Sequence, residues 1–162
     1  MSVNRRTTAG LPYDITVTDE CGIIAVDAGS LQRAIEWTLV RHACESAVLS
    51  VALVEDVRIA ALNERYLGHA GATDVLSFNL GGDNPVVDGE VVVSVETARR
   101  ESASRGHSAE VEVLLYAVHG TLHLLGFDDH AKDDARRMHD EEDRILTELG
   151  FGAVYRSEAS GR

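Results

Sequence analysis

Tyr13 to Val17 alternates apolar and polar residues, the period of a half-buried strand. Val48 to Val54, Asp74 to Phe78 and Glu90 to Ser94 are three further strand-like runs. Between them the period changes. Leu31, Ala34, Ile35 and Leu39 share one helical face behind Ser30, a candidate cap; Ile59, Leu62 and Tyr66 share another behind Asp56. Gly68 and Gly71 break the chain before the third strand, and Gly81, Gly82, Asn84 and Pro85 make a loop before the fourth. After the fourth strand the pattern is helical: about Val95 to Arg105, about Ser108 to Leu125, and about Asp133 to Leu149, the last packing through Ala135, Met138, Ile145 and Leu149. The helix over 108–125 is apolar nearly all round, which makes it the buried central helix. These elements predict an α+β fold, a small mixed four-stranded sheet with helices packed on it.

The length of 162 residues suits one domain, expected over 11–156, with residues 1–10 and 157–162 as mobile tails. An apolar fraction of 44% is that of a globular chain. No run is long and apolar enough for a membrane span, and no secretory signal opens the chain, so a cytoplasmic protein is expected. Cys21 and Cys44 form no Cys-x-x-Cys and are expected to be reduced thiols. A net charge of −12 argues against broad, non-specific nucleic-acid binding, which needs many cations on phosphates. Lys132 is the single lysine; the other cations are arginines, better suited to a local bidentate phosphate contact. Asp140, Glu141, Glu142 and Asp143 on the last helix read as a solvated face, or else as a contact for a basic partner. Glu96 reads as a helix-start acid or as a cap on a neighbouring backbone group.

The chemistry is concentrated in His119-Gly120-Thr121-Leu122-His123-Leu124-Leu125-Gly126-Phe127-Asp128-Asp129-His130. Two histidines four apart lie on one helical face and can converge on one ion. Gly126 allows a left-handed helix stop, after which Asp128, Asp129 or His130 can supply a third ligand. Three protein ligands with a fourth position left open is the build of a catalytic zinc site. The spacing is that of a zinc protease, but Gly120 stands where such enzymes carry their glutamate base, so peptide hydrolysis is not expected.

With these residues placed, the chain resembles the YbeY family of endoribonucleases, which act on ribosomal RNA. The family pattern His-Gly-x-Leu-His-Leu-x-Gly-Tyr/Phe-Asp-His is similar to residues 119–130. Leu62 to Tyr66 with Thr73 to Phe78, and Gly89 to Ala98, resemble two further family blocks in the same order. The resemblance implies a zincin-like site on the central helix with one Zn2+ per chain. It implies a zinc-dependent, single-strand-specific endoribonuclease of small-subunit rRNA maturation and ribosome quality control. Its implied partners are rRNA and the small ribosomal subunit, with ribosomal proteins or an assembly GTPase beside them, and no membrane.

The implied metal ligands are His119 and His123 with Asp129 or His130. Family spacing, supported by Met138 in the ungapped register, favours Asp129; imidazole chemistry favours His130. Thr73, Asp74 and Ser77 are implied to line the substrate cleft. Leu67 stands where the family usually has arginine, and Arg65 is the nearby cation, on another side of the helix. That departure leaves two alternatives, a ribosome-assembly factor with a structural metal and no nuclease activity, or a metal hydrolase of a small substrate.

Overall fold

The computed structural model describes residues 1–7, 10 and 12–155. Its elements are β1 (Ser2–Thr7), β2 (Tyr13–Asp19), α1 (Ala28–Arg41), β3 (Ser46–Val54), α2 (Asp56–Leu67), β4 (Val75–Asn79), β5 (Val86–Ser94), α3 (Val95–Arg105), α4 (Ala109–Leu124) and α5 (Lys132–Glu148). The fold is α+β, as expected. The sheet has five strands rather than four, in the order β1-β2-β3-β5-β4. Strands β2, β3 and β5 run parallel, while β1 and β4 are antiparallel edges.

The fifth strand corrects the expected tail at residues 1–10. Strand β1 has no buried apolar stripe, and Val3 is exposed. It is held instead by pairing with β2, by the Arg5–Asp14 ion pair at 2.5 Å, and by Gln32, whose amide donates to the Asn4 carbonyl at 3.2 Å. The other expected tail, 157–162, lies outside the described residues. Among the described residues no helix is long and apolar enough to cross a membrane. Cys21 and Cys44 are free thiols.

Helix α1 begins two residues before Ser30. Asp27 is its cap, accepting from the Gly29 and Ser30 amides at 3.3 and 3.2 Å, and Ser30 Oγ donates to the same carboxylate at 2.7 Å. Asp56 is the first residue of α2 rather than its cap.

The two faces of the sheet are unlike. Ile15, Val51, Val91 and Val93 join α1, α4 and α5 in the main core, with Leu31, Ile35, Val118, Leu122, Met138 and Ile145 buried there. Val92 and Leu76 point the other way, onto Ile59 and Leu62 of α2. Helices α2 and α4 therefore lie on opposite faces. From Val113 to Leu122 every residue of α4 is buried except His119, so the rigid central helix itself presents the site.

Candidate metal centre

The backbone of α4 lies hard against β5 and β4 because Gly120 faces the sheet. A Cβ there would stand 2.7 Å from Val91 Cγ1, and Ser77 Oγ donates to the Gly120 carbonyl at 2.9 Å. One residue before, and three after, His119 and His123 turn away from the sheet. Their Nε2 atoms are 3.0 Å apart. The helix ends at Leu124; Gly126 takes a φ of 99°, and the Phe127 amide closes the turn onto the Leu122 carbonyl at 3.0 Å. The returning chain carries Asp129 back over the pair, with Oδ2 3.4 Å from His119 Nε2 and 3.7 Å from His123 Nε2.

Each imidazole is held from behind. His119 Nδ1 is 2.5 Å from Glu142 Oε1 of α5, and His123 Nδ1 is 3.0 Å from the Phe127 carbonyl. Acceptors at both Nδ1 atoms place the ring protons there and leave both Nε2 lone pairs facing the same point. Two lone pairs and a carboxylate oxygen so close together call for a cation between them. Burial disfavours the charged form of His119, but the hydrogen bond and charge of Glu142, with Asp129 and Asp74 adding, raise its pKa above the ordinary imidazole value.

These donors fit a metal ion. Ligands about 2.0–2.1 Å from a tetrahedral zinc stand about 3.3 Å from one another, and the three separations here run from 3.0 to 3.7 Å. Nitrogen, nitrogen and carboxylate oxygen is an ordinary zinc set. Side-chain exposures of 18% for His119, 29% for His123 and 37% for Asp129 leave one side open to solvent.

Of the two candidates for third ligand, the structure brings Asp129 to the histidines and leaves His130 outside. The His130 side chain is 88% exposed, and its Nδ1 is bonded to Asp128. That partner raises the His130 pKa, and His130 in turn lowers that of Asp128. The tight turn after Gly126 carries residue 129 inward, and the next side chain points outward.

Residues 18–150 match the family described as Endoribonuclease YbeY. An Endoribonuclease YbeY of Pelotomaculum thermopropionicum is 36% identical over 148 residues, covering 85% of this chain and 97% of that protein. One of Desulfitobacterium hafniense is 41% identical over 117 residues, covering 66% and 74%. The chain belongs to the YbeY family. The solution structure of a Thermotoga maritima protein shares the fold, with a TM-score of 0.56 at 23% identity over 91% of this chain and 95% of that one.

The structure sorts the remaining residues that the YbeY resemblance singled out. Asp74 immediately precedes β4, and its charge acts on His119 and Tyr116 of α4. Its Oδ1 accepts from the Val75 amide at 2.8 Å and from Thr73 Oγ1 at 3.3 Å. Ser77 lies on the α4 face of β4, with its hydroxyl spent on Gly120. Arg65 is on α2, across the sheet from α4, with its guanidinium 5.2 Å above the Tyr66 ring. Leu67 is half exposed at the end of α2. A groove of about 640 Å³ is also on the α2 side, between Arg58, Leu62 and Tyr66 of the helix and Phe78, Glu90 and Val92 of the sheet. It is separate from the His119 group.

Two parts of the centre were not singled out from the sequence. One is the Phe127 carbonyl, which no sequence pattern marks. The other is Glu142. The acidic run on α5 is not a solvated face, because Glu141, Glu142 and Asp143 are buried and only Asp140 is exposed. Glu142 lies four residues after Met138 and three before Ile145, in the apolar stripe that the sequence already showed. An acid in register with such a stripe is the signal that it is buried and partnered.

Proposed function

We propose that this YbeY protein is a zinc-dependent, single-strand-specific endoribonuclease that matures small-subunit rRNA in the cytoplasm, with His119, His123 and Asp129 as the zinc ligands. The observation that carries the reading is the convergence of two histidines of the buried central helix with Asp129 of the turn that follows it, both imidazoles being fixed at Nδ1. Family membership supports the reaction class and rRNA as substrate. The reading extends to ribosome quality control and to the small subunit, its proteins or an assembly GTPase as partners.

When bound, zinc supplies Lewis acidity at a phosphoryl oxygen and a means of activating water near neutral pH. The chain supplies geometry and charge. His119 and His123 offer neutral imidazoles, Asp129 adds a carboxylate, and the open side of the group admits substrate. The charge of Asp74 acts on His119 and adds to that of Glu142 and Asp129. Gly120 can accept no proton, so the position that serves as base in zinc proteases is silent here.

The test compares zinc content and cleavage of single-stranded and duplex rRNA fragments for wild type, Asp129→Ala and His130→Ala. One zinc per chain and single-strand cleavage are expected in wild type and in His130→Ala. Asp129→Ala is expected to lose both. Cleavage that survives chelation, or zinc lost on His130→Ala instead, overturns the reading.

A further inference from the structure

Glu142 is fully buried on α5, one carboxylate oxygen at His119 Nδ1 and the other, Oε2, with no hydrogen-bond partner. What surrounds it keeps it dry. Asp143 accepts the Val154 and Tyr155 amides at 2.7 and 3.0 Å and so ties that segment back to α5. The Tyr155 ring stacks on His139 at 3.9 Å, with the Arg105 guanidinium 5.8 Å from the ring on the α3 side. Burial raises the Tyr155 phenol above its ordinary pKa, and the charge of Glu142 and a hydrogen bond to it raise it further.

A carboxylate sealed from water and met only by an imidazole and a phenol, with no full cation bonded to it, is poorly compensated. The compensation this arrangement offers is a cation on the far nitrogen of the ring it holds. We infer that Glu142 is the positioning residue of the metal centre: it fixes His119 with Nδ1 protonated and Nε2 aimed at the ion, and the ion's charge offsets its own through the imidazole. The inference rests on the reading of His119, His123 and Asp129 as a metal site. A merely structural acid would stabilise α5 against α4 whether or not metal is bound. A positioning acid sets the affinity for the ion.

The experiment uses the full chain with Zn2+ as probe, its affinity measured by chelator competition and the His119 tautomer by nitrogen NMR of the metal-free protein. Glu142→Gln keeps an acceptor for Nδ1 but not the charge; Glu142→Ala keeps neither. Glu141→Gln is the control, since Glu141 pairs with Arg41 and His42 of α1 rather than with the centre. Zinc affinity is expected to fall about tenfold in Glu142→Gln with the tautomer retained, and about a hundredfold in Glu142→Ala with the Nε2-protonated form appearing. The control should stay within twofold. Wild-type affinity in Glu142→Gln overturns the inference even where Glu142→Ala does not fold, as does an unchanged tautomer in a folded Glu142→Ala. Wild-type protein that takes up no zinc overturns the metal reading itself, and the inference with it.

Discussion

A methyl group added to Gly120 would sit 2.7 Å from Val91 Cγ1, 2.9 Å from Ser77 Oγ and 3.2 Å from Val75 Cγ2. Two effects then compete in Gly120→Ala. Alanine in a helix interior gains about 1 kcal/mol over glycine, while forcing atoms into a packed core costs about 1–3 kcal/mol. Val91 is fully buried in a central strand and cannot swing aside, so the clash wins. Gly120→Ala should melt a few degrees below wild type, at roughly 2–4 °C per kcal/mol for a chain of this size. A melting temperature at or above wild type would show that α4 can lift from the sheet freely. The same scale explains why the third ligand stayed open in the sequence. Asp129 and His130 differ by one position, and both are competent ligands. Which of the two side chains comes to the histidines is set by the backbone after Gly126, whose φ of 99° no residue type announces beyond the glycine itself.

At the scale of elements, the starts of α2 and α3 are tied to each other. Asp56 accepts from Ser94 Oγ at 2.6 Å, Thr97 Oγ1 at 2.8 Å and Arg100 Nη1 at 2.7 Å, while its own amide donates to Glu96 Oε1 at 2.8 Å. Partial burial pushes the Asp56 pKa up, but the bonds from Arg100, Ser94 and Thr97 outweigh it and hold the value below the ordinary one. A depressed pKa stabilises the fold in full above the unfolded value of about 3.9, and the contribution fades as pH falls through the folded value. Asp56→Asn should therefore cost about 1–3 kcal/mol at pH 7, with the gap to wild type narrowing below about pH 4. Urea unfolding at pH 7 and at stepped pH down to 3 reads this, and a gap that widens in acid would be incompatible with it. Most elements were legible because each buries one face or, in α4, nearly the whole surface: α3, α4 and α5 lie within a residue or two of their expected ends. Strand β1 was illegible for the opposite reason, being an edge strand with little to bury. The link through Glu96 was visible as one of two readings, and the structure shows it capping a backbone amide.

For the whole molecule, the charge of −12 is not only a surface property. Glu112, Glu141, Glu142 and Asp143 are all buried around α4, α5 and the chain end. Glu112 meets His107 at 2.5 Å and Arg105 at 3.3 Å, and Glu141 meets Arg41 and His42. Asp143 is bonded to backbone amides. Glu142 has an imidazole and the Tyr155 phenol, neither a permanent cation, and beyond that imidazole stand the donors that would hold the ion. A metal there would complete a set of buried carboxylates in which the other two glutamates already have a cation, so it should contribute to stability as well as to chemistry. An ion that binds the folded chain alone stabilises it by about 4 kcal/mol at a thousand times its dissociation constant. At roughly 2–4 °C per kcal/mol that is about 8–16 °C of melting temperature. Chelated protein should melt lower by that order, recover on adding zinc, and show no such recovery in His119→Ala or His123→Ala. A thermal transition indifferent to chelator would mean that the fold balances the charge of Glu142 without the ion, leaving the three donors at the end of α4 with no part in holding the core together.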